Sequence, residues 1–251
     1  MKKITFAAAM ALILVFAAPA NAQFAFGIKG GLNLVNNDVS GLTNMTKDDF
    51  MNTENYTGFF IGPKVEMDIP IAGLGFEVAA LYSQKGLTAP TEETYKLNSV
   101  LLPVNLRWGF GLGNLAKIWV AAGPEFDFNI GENTEFVTGS KEQGIVAYAV
   151  NKSALSINVG VGATLLKHVQ LGVNYNIPWG STYEAVSFSK KEIEEIESEE
   201  GAVSNTKTLA EQYTELKTKY NAAHENANKT VDDITAKVKA GTLQLSLAIL
   251  F

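Results

Sequence analysis

Apolar residues recur at every second position through most of this chain, in segments of about ten residues. Beyond residue 22 no stretch approaches the roughly 20 successive apolar residues of a membrane helix. A period of two belongs to the β-strand, whose successive side chains face opposite sides. The final segment, 241–251, shows it well: Leu243, Leu245, Leu247 and Ile249 alternate with Thr242, Gln244, Ser246 and Ala248 before Phe251.

The same pattern runs through 24–34, 57–68, 74–85, 100–108, 117–128, 155–165 and 169–179, which makes eight two-faced strands. One face is aliphatic and aromatic; the other is Gly, Asn, Ser and charge. A soluble sandwich would bury the first face and wet the second. The size and aromaticity of the apolar face predict the reverse, lipid outside and a narrow polar lumen inside. Backbone groups away from water are all satisfied only in a helix or a closed barrel, so closure is required. The connections 69–73, 109–116 and 166–168 are short, whereas 35–56, 86–96, 130–152 and the segment after Trp179 are long. Short turns on one rim and long loops on the other predict an up-and-down antiparallel barrel of the bacterial outer membrane, with its long loops outside. Tyr82, Trp108, Tyr175, Trp179 and Phe251 fall near strand ends, where an aromatic girdle meets the lipid interface.

Residues 1–22 carry Lys2 and Lys3, an apolar stretch, Pro19 and the small-x-small run Ala20-Asn21-Ala22. This is the layout of a cleaved export signal, leaving Gln23 first. The chain has no cysteine, so neither a lipid anchor on cysteine nor a disulfide is expected. With 47% hydrophobic residues, 22 glycines and 18% charge, it leans away from ordinary soluble composition. The net charge is −6, or −8 once the two signal lysines are removed, which gives nucleic acid no electrostatic footing.

The opening FGIKGGLNL, the eight alternating strands and the terminal Phe251 resemble the PorT-like outer-membrane β-barrel family of Bacteroidota. The resemblance covers 24–179 and the last strand. It implies an eight-stranded barrel, and some relatives act as accessories to protein secretion across the outer membrane. The motif marks fold and compartment; no residue here inherits a role from it.

Side chains alone fill an eight-stranded barrel. Lys29, Lys64, Arg107 and Lys117 share the inward face with Glu66, Glu77, Glu125 and Asp127, and charges so confined should pair. The reading is a salt-bridged plug; the alternative is a polar conduit for small solutes.

No catalytic, cofactor or metal site is expected. His168 sits in a short turn and His224 in a charged segment, neither with a nucleophile and orienting acid at triad spacing. The glycines of 109–113 lack the helix and the Lys-Ser/Thr of a phosphate loop. Asp127, Asn129, Gly131 and Asn133 echo a calcium loop, but the glycine comes one place early and no Glu closes it.

Within 187–239 the period changes. Residues 190–200 are almost all charge around Ile193 and Ile196; then Leu209, Tyr213, Leu216, Tyr220, Ala223, Ala227, Val231, Ile234 and Val238 follow at steps of three and four. That spacing predicts an amphipathic helix of about thirty residues, capped by Ser204 or Thr206 after a break at 201–205 and stopped by Gly241. The domain reading is a signal at 1–22, a barrel from 23–186 and 240–251, and a helical, charged extracellular insertion at 187–239. The stripe Leu209, Tyr213, Leu216, Tyr220, Val231 and Ile234 is the candidate partner-binding face, to pack on the first helix, on a second copy or on a foreign envelope protein.

Overall fold

The computed structural model describes residues 23–40, 57–69, 73–88, 94–112, 115–131, 135–142, 144–224, 231 and 235–251. The expected signal, Asn133, Ala227 and Ile234 lie outside them. Strands β1 (Gln23–Ser40), β2 (Thr57–Ile69), β3 (Leu74–Ala79), β4 (Leu81–Thr88), β5 (Thr94–Leu112) and β6 (Ala116–Asn129) come first. Then follow β7 (Glu135–Ser140), β8 (Gly144–Val150), β9 (Ser153–Leu165), β10 (Val169–Pro178), β11 (Tyr183–Phe188), helices α1 (Lys190–Glu200) and α2 (Leu209–Ala223), and β12 (Ala236–Leu250).

Eight staves close a ring in which β3 and β4 together make one stave. The pairing Lys64↔Ala79 continues in the same register as Ile61↔Tyr82. The interruption at Ala80 has a local cause: Pro63 and Pro103 on the flanking strands offer no N–H, and the Ala80 N–H donates to the Pro63 carbonyl at 3.0 Å. Closure is antiparallel between first and last strands, from Gly27↔Leu250 to Ser40↔Lys237, so no edge is left along the wall.

Burial is inverted relative to a soluble protein. Leu171 and Leu247 are each 50% exposed, while Gln170 and Gln244 on the same two strands are 3% and 1% exposed. An apolar belt outside and a polar packed interior is the pattern lipid imposes. Among the described residues no helix is long and apolar enough to cross a membrane.

Above the barrel, at the long-loop end, β10 stops at Pro178 and β11 takes its place beside β12, with Tyr183 opposite Val238. β8 pairs with β11, and β7 with β8. The sheet β1–β12–β11–β8–β7 therefore rises from the wall as one piece, with α1 and α2 against its outer part. The packed cluster beneath the helices holds Ile145, Phe188, Ile193, Ile196, Leu216 and Val231, with Tyr213 and Tyr220 tilted against Phe188 at 6.1 and 5.8 Å.

This module differs from the sequence expectation in four ways. The loop 130–152 contributes the hairpin β7–β8, so the insertion is not helical alone and does not start at 187. The second helix is fifteen residues long rather than thirty: it ends at Ala223 with His224 as its cap, and Ala236 onward pairs as strand with β1 and β11. Its cap is Thr208, whose hydroxyl accepts from the Glu211 N–H while Glu211 reaches back to the Thr208 N–H. Gly241 is no helix stop: it lies within β12, where a Cβ would stand 2.5 Å from the Tyr175 hydroxyl.

Candidate functional site

Across the barrel's waist the strands aim five charged side chains at one another. Lys64 Nζ lies 2.5 Å from Glu66, 2.8 Å from Glu77 and 2.6 Å from the Gln170 carbonyl oxygen. Lys29 donates to the other Glu77 oxygen at 3.0 Å. Arg107 contacts Glu66, lies 3.7 Å from Glu77, and stacks its guanidinium 4.3 Å over the Trp119 ring. Gln170 seals the group by donating to Glu66 at 2.9 Å and to Thr164 at 3.1 Å. Every one of these charged side chains is at most 5% exposed. β1, β2, β3, β5 and β10 all contribute, so the lock spans the lumen.

Trp119 completes the seal. It faces inward on β6 beside the inward glycines of β9 and β10: a Cβ on Gly162 would come within 2.2 Å of its ring, and one on Gly172 within 3.0 Å. An indole thus occupies space that glycine leaves. Sequence reasoning passed it over; the signal available was an aromatic on the polar parity of one strand beside glycines of the same parity on its neighbours.

Toward the long loops the lining changes to amides. Gln244 donates to Asn33 at 3.1 Å and Asn33 to Ser83 at 2.9 Å; Asn174 donates to Asn158 at 3.0 Å and Asn158 to Asn105 at 3.3 Å. Glu125 accepts from Asn176, and Asp127 pairs with Lys85 at 2.8 Å. At the short-turn end Lys117 pairs with Asp68 at 2.6 Å. The single expected charge network is therefore three groups: a central lock of Lys29, Lys64, Glu66, Glu77 and Arg107, with Lys117 at one mouth and Glu125 and Asp127 toward the other. Lys85 and Asp68, on the inward parity of their strands but outside the expected network, supply the partners.

The expected binding stripe points inward. Leu216 and Tyr220 are buried, Val231 is buried, and Leu209 and Tyr213 pack against the same cluster. Of the three packing modes open to the stripe, the geometry is that of packing on α1 and the sheet, because β7–β8 and β11 supply the apolar surface it needs. The girdle residues are outward: Trp108 and Phe251 near the short turns, Tyr82, Tyr175 and Trp179 nearer the long loops, all at least 38% exposed.

Polar chemistry in the module is structural. Glu197 pairs with Lys141 and accepts from the Val203 N–H, and the Lys141 hydrogen bond leads in holding its carboxyl below the usual range. Burial pushes the Tyr148 hydroxyl up to about 12 and Tyr183 further in the same direction. Their rings meet edge-on at 6.3 Å. His168 Nδ1 lies 2.6 Å from the Leu166 carbonyl oxygen, and His224 stacks on Tyr220 at 4.2 Å. Asn129 accepts from the Gly131 N–H at 2.9 Å, and among the described residues no cluster of three or more metal-ligating side chains occurs.

A family model described as "Outer membrane protein beta-barrel domain" matches residues 5–194. Solved structures that resemble the chain include the outer membrane protein OprG from Pseudomonas aeruginosa, at 10% identity and a TM-score of 0.38, covering 90% of this chain and 95% of that one. Another is a deltaS2 mutant of the monoaromatic hydrocarbon channel TodX, at 10% identity and a TM-score of 0.33, covering 69% of this chain and 51% of that one. No curated protein matches the chain.

Proposed function

The chain belongs to the outer membrane protein beta-barrel domain family and sits in the outer membrane as a closed eight-stranded barrel; from that premise we propose that it is a non-enzymatic anchor, holding a folded helix-and-sheet module outside the cell for contact with an envelope or extracellular protein. The supporting observation is β12, which closes the barrel against β1 and, without a break, forms the floor of the module beside β11. A module built on the barrel's own closing strand is held at a fixed height and angle. The filled lumen belongs to the same reading, since an ion lock of five buried charges braces the wall from within. The same reading takes residues 1–22 as an export signal removed after Ala22, and the FGIKGGLNL opening as a likeness to the PorT-like barrels.

Photo-crosslinkers at the exposed positions Glu194 and Lys217 in intact cells should trap a protein partner. Adducts from Leu166 alone, in the turn at the opposite end, would favour a secretion accessory instead. A passage protein for small solutes is the other reading, and the open cavity at the short-turn mouth favours it. Steady conductance steps in planar bilayers, altered by Lys64→Met, would replace the anchor with that reading.

A further inference from the structure

Below the lock, at the short-turn end, the lumen opens into a cavity of about 640 Å³. The volume falls in the ordinary range for small-ligand pockets. Gln170, Glu66 and Thr164 form its floor, and their polar atoms are used within the lock. Its walls are kept wide by Ala25, Ala116 and glycines, and Phe24, Ile69 and Leu250 add apolar surface. Two ammonium groups line it, Lys117 and Lys167.

The charge balance there is positive. The lock sets three cations against two carboxylates. The cavity adds Lys117 and Lys167 against Asp68 alone, and Lys167 has no ion pair among the described residues. Lys117 and Asp68 keep 28% and 33% of their side chains open, so the ammonium retains donors for a second acceptor. Lys167 is placed by an unusual turn. The His168 N–H donates to the Leu165 carbonyl at 3.0 Å, and both central residues, Leu166 and Lys167, have left-handed φ of 49° and 63°. Asn-Gly is the ordinary choice for such a pair. Strain of this kind persists where a side chain is needed in position.

We propose that this vestibule binds a small organic carboxylate with a short apolar body. The carboxylate lies between Lys117 and Lys167, and the body lies against Phe24, Ile69 and Leu250. The site faces away from the outer module, and its occupancy is independent of any partner there.

The test uses the full chain in detergent micelles, titrated calorimetrically with sodium hexanoate and, separately, with hexylammonium chloride. Hexanoate should bind saturably at one site, and hexylammonium should not. Lys167→Asn, which keeps a residue tolerant of left-handed φ, should weaken hexanoate about tenfold, the loss of one charge-assisted contact. Asp68→Asn, which removes the competing carboxylate, should strengthen it. Equal binding of hexylammonium, uptake that never saturates as micelle partitioning would give, or unchanged affinity in Lys167→Asn would each overturn the site.

Discussion

Glu77 joins three strands through charge: it accepts from Lys29 and Lys64 and has Arg107 at 3.7 Å. In Glu77→Gln the shape is kept, but three buried cations face Glu66 alone. Removing one partner of a buried ionic group costs about 3–5 kcal/mol. The variant should lose its compact, heat-modifiable gel mobility at a lower temperature than the parent. Adding Lys29→Met should recover part of that loss, since the two side chains are direct partners and their effects are not additive. Purely additive losses would mean that the lock is not a coupled unit. The Leu166-Lys167 turn is the opposite case, a place where stability has been forgone. Replacing the pair with Asn-Gly should raise stability by about 1 kcal/mol, since both residues accept positive φ. Urea unfolding in micelles measures it, and an unchanged or lower midpoint would remove strain as the reason the turn is unusual.

Among elements, those with one lipid face and one lumen face declare themselves in sequence, and those with two covered faces do not. The eight staves alternate because Leu171 and Gln170, or Leu245 and Gln244, meet opposite environments, and the inward Phe60, Leu81, Leu101 and Trp119 are the exceptions. In β11, Tyr183 and Ala185 are buried on one face and Val186 and Phe188 on the other, so no period of two survives. β8 is equally covered, with Ile145 and Ala147 on one face and Tyr148 on the other. The three-and-four spacing was legible through Leu209, Tyr213, Leu216 and Tyr220, but its extension to Val238 was accidental, because strand pairing with β1 decides that residue. The central lock was legible as inward charge; the inward Trp119 and the pairings Lys117–Asp68 and Lys85–Asp127 were not, because register between distant strands sets them.

The module's two layers are clasped where Lys141, at the β7–β8 turn, pairs with Glu197 on α1 and donates to the Val203 carbonyl at 2.7 Å. The Glu197 pKa is held below its usual 4.5, mainly by the Lys141 hydrogen bond. A carboxylate with a depressed folded pKa adds stability above its unfolded value and loses it as pH falls through the folded one. Hydrogen exchange at Val203 and the end of α1 should therefore quicken as pH drops below about 4.5, after correction for intrinsic rates. In Lys141→Ala it should already be fast at pH 7, for a local cost of about 1 kcal/mol or less at this partly exposed pair. Equal protection in the variant would show that the apolar cluster alone holds the helices.

Taken whole, the molecule assigns its two ends different environments. Among the described residues the lumen carries more cations than carboxylates from the lock to the short turns, whereas beyond the lock the carboxylates Glu125 and Asp127 lie beside Lys85. The same closing strand serves barrel and module, which raises the question of which depends on the other. The pairings from Gly27↔Leu250 to Val35↔Thr242, and from Val169↔Ile249 to Asn176↔Thr242, lie wholly within the barrel. They are enough to close the ring without any contact above Gly241. Replacing 132–151 and 180–240 by short turns removes β7, β8, β11 and both helices together, so no apolar face of the module is left uncovered. That variant should insert into lipid, keep heat-modifiable migration, and lose every crosslink the module makes on intact cells. If it fails to insert while the lock residues are intact, the module belongs to the barrel's folding rather than to its outward contacts, and the anchor reading falls.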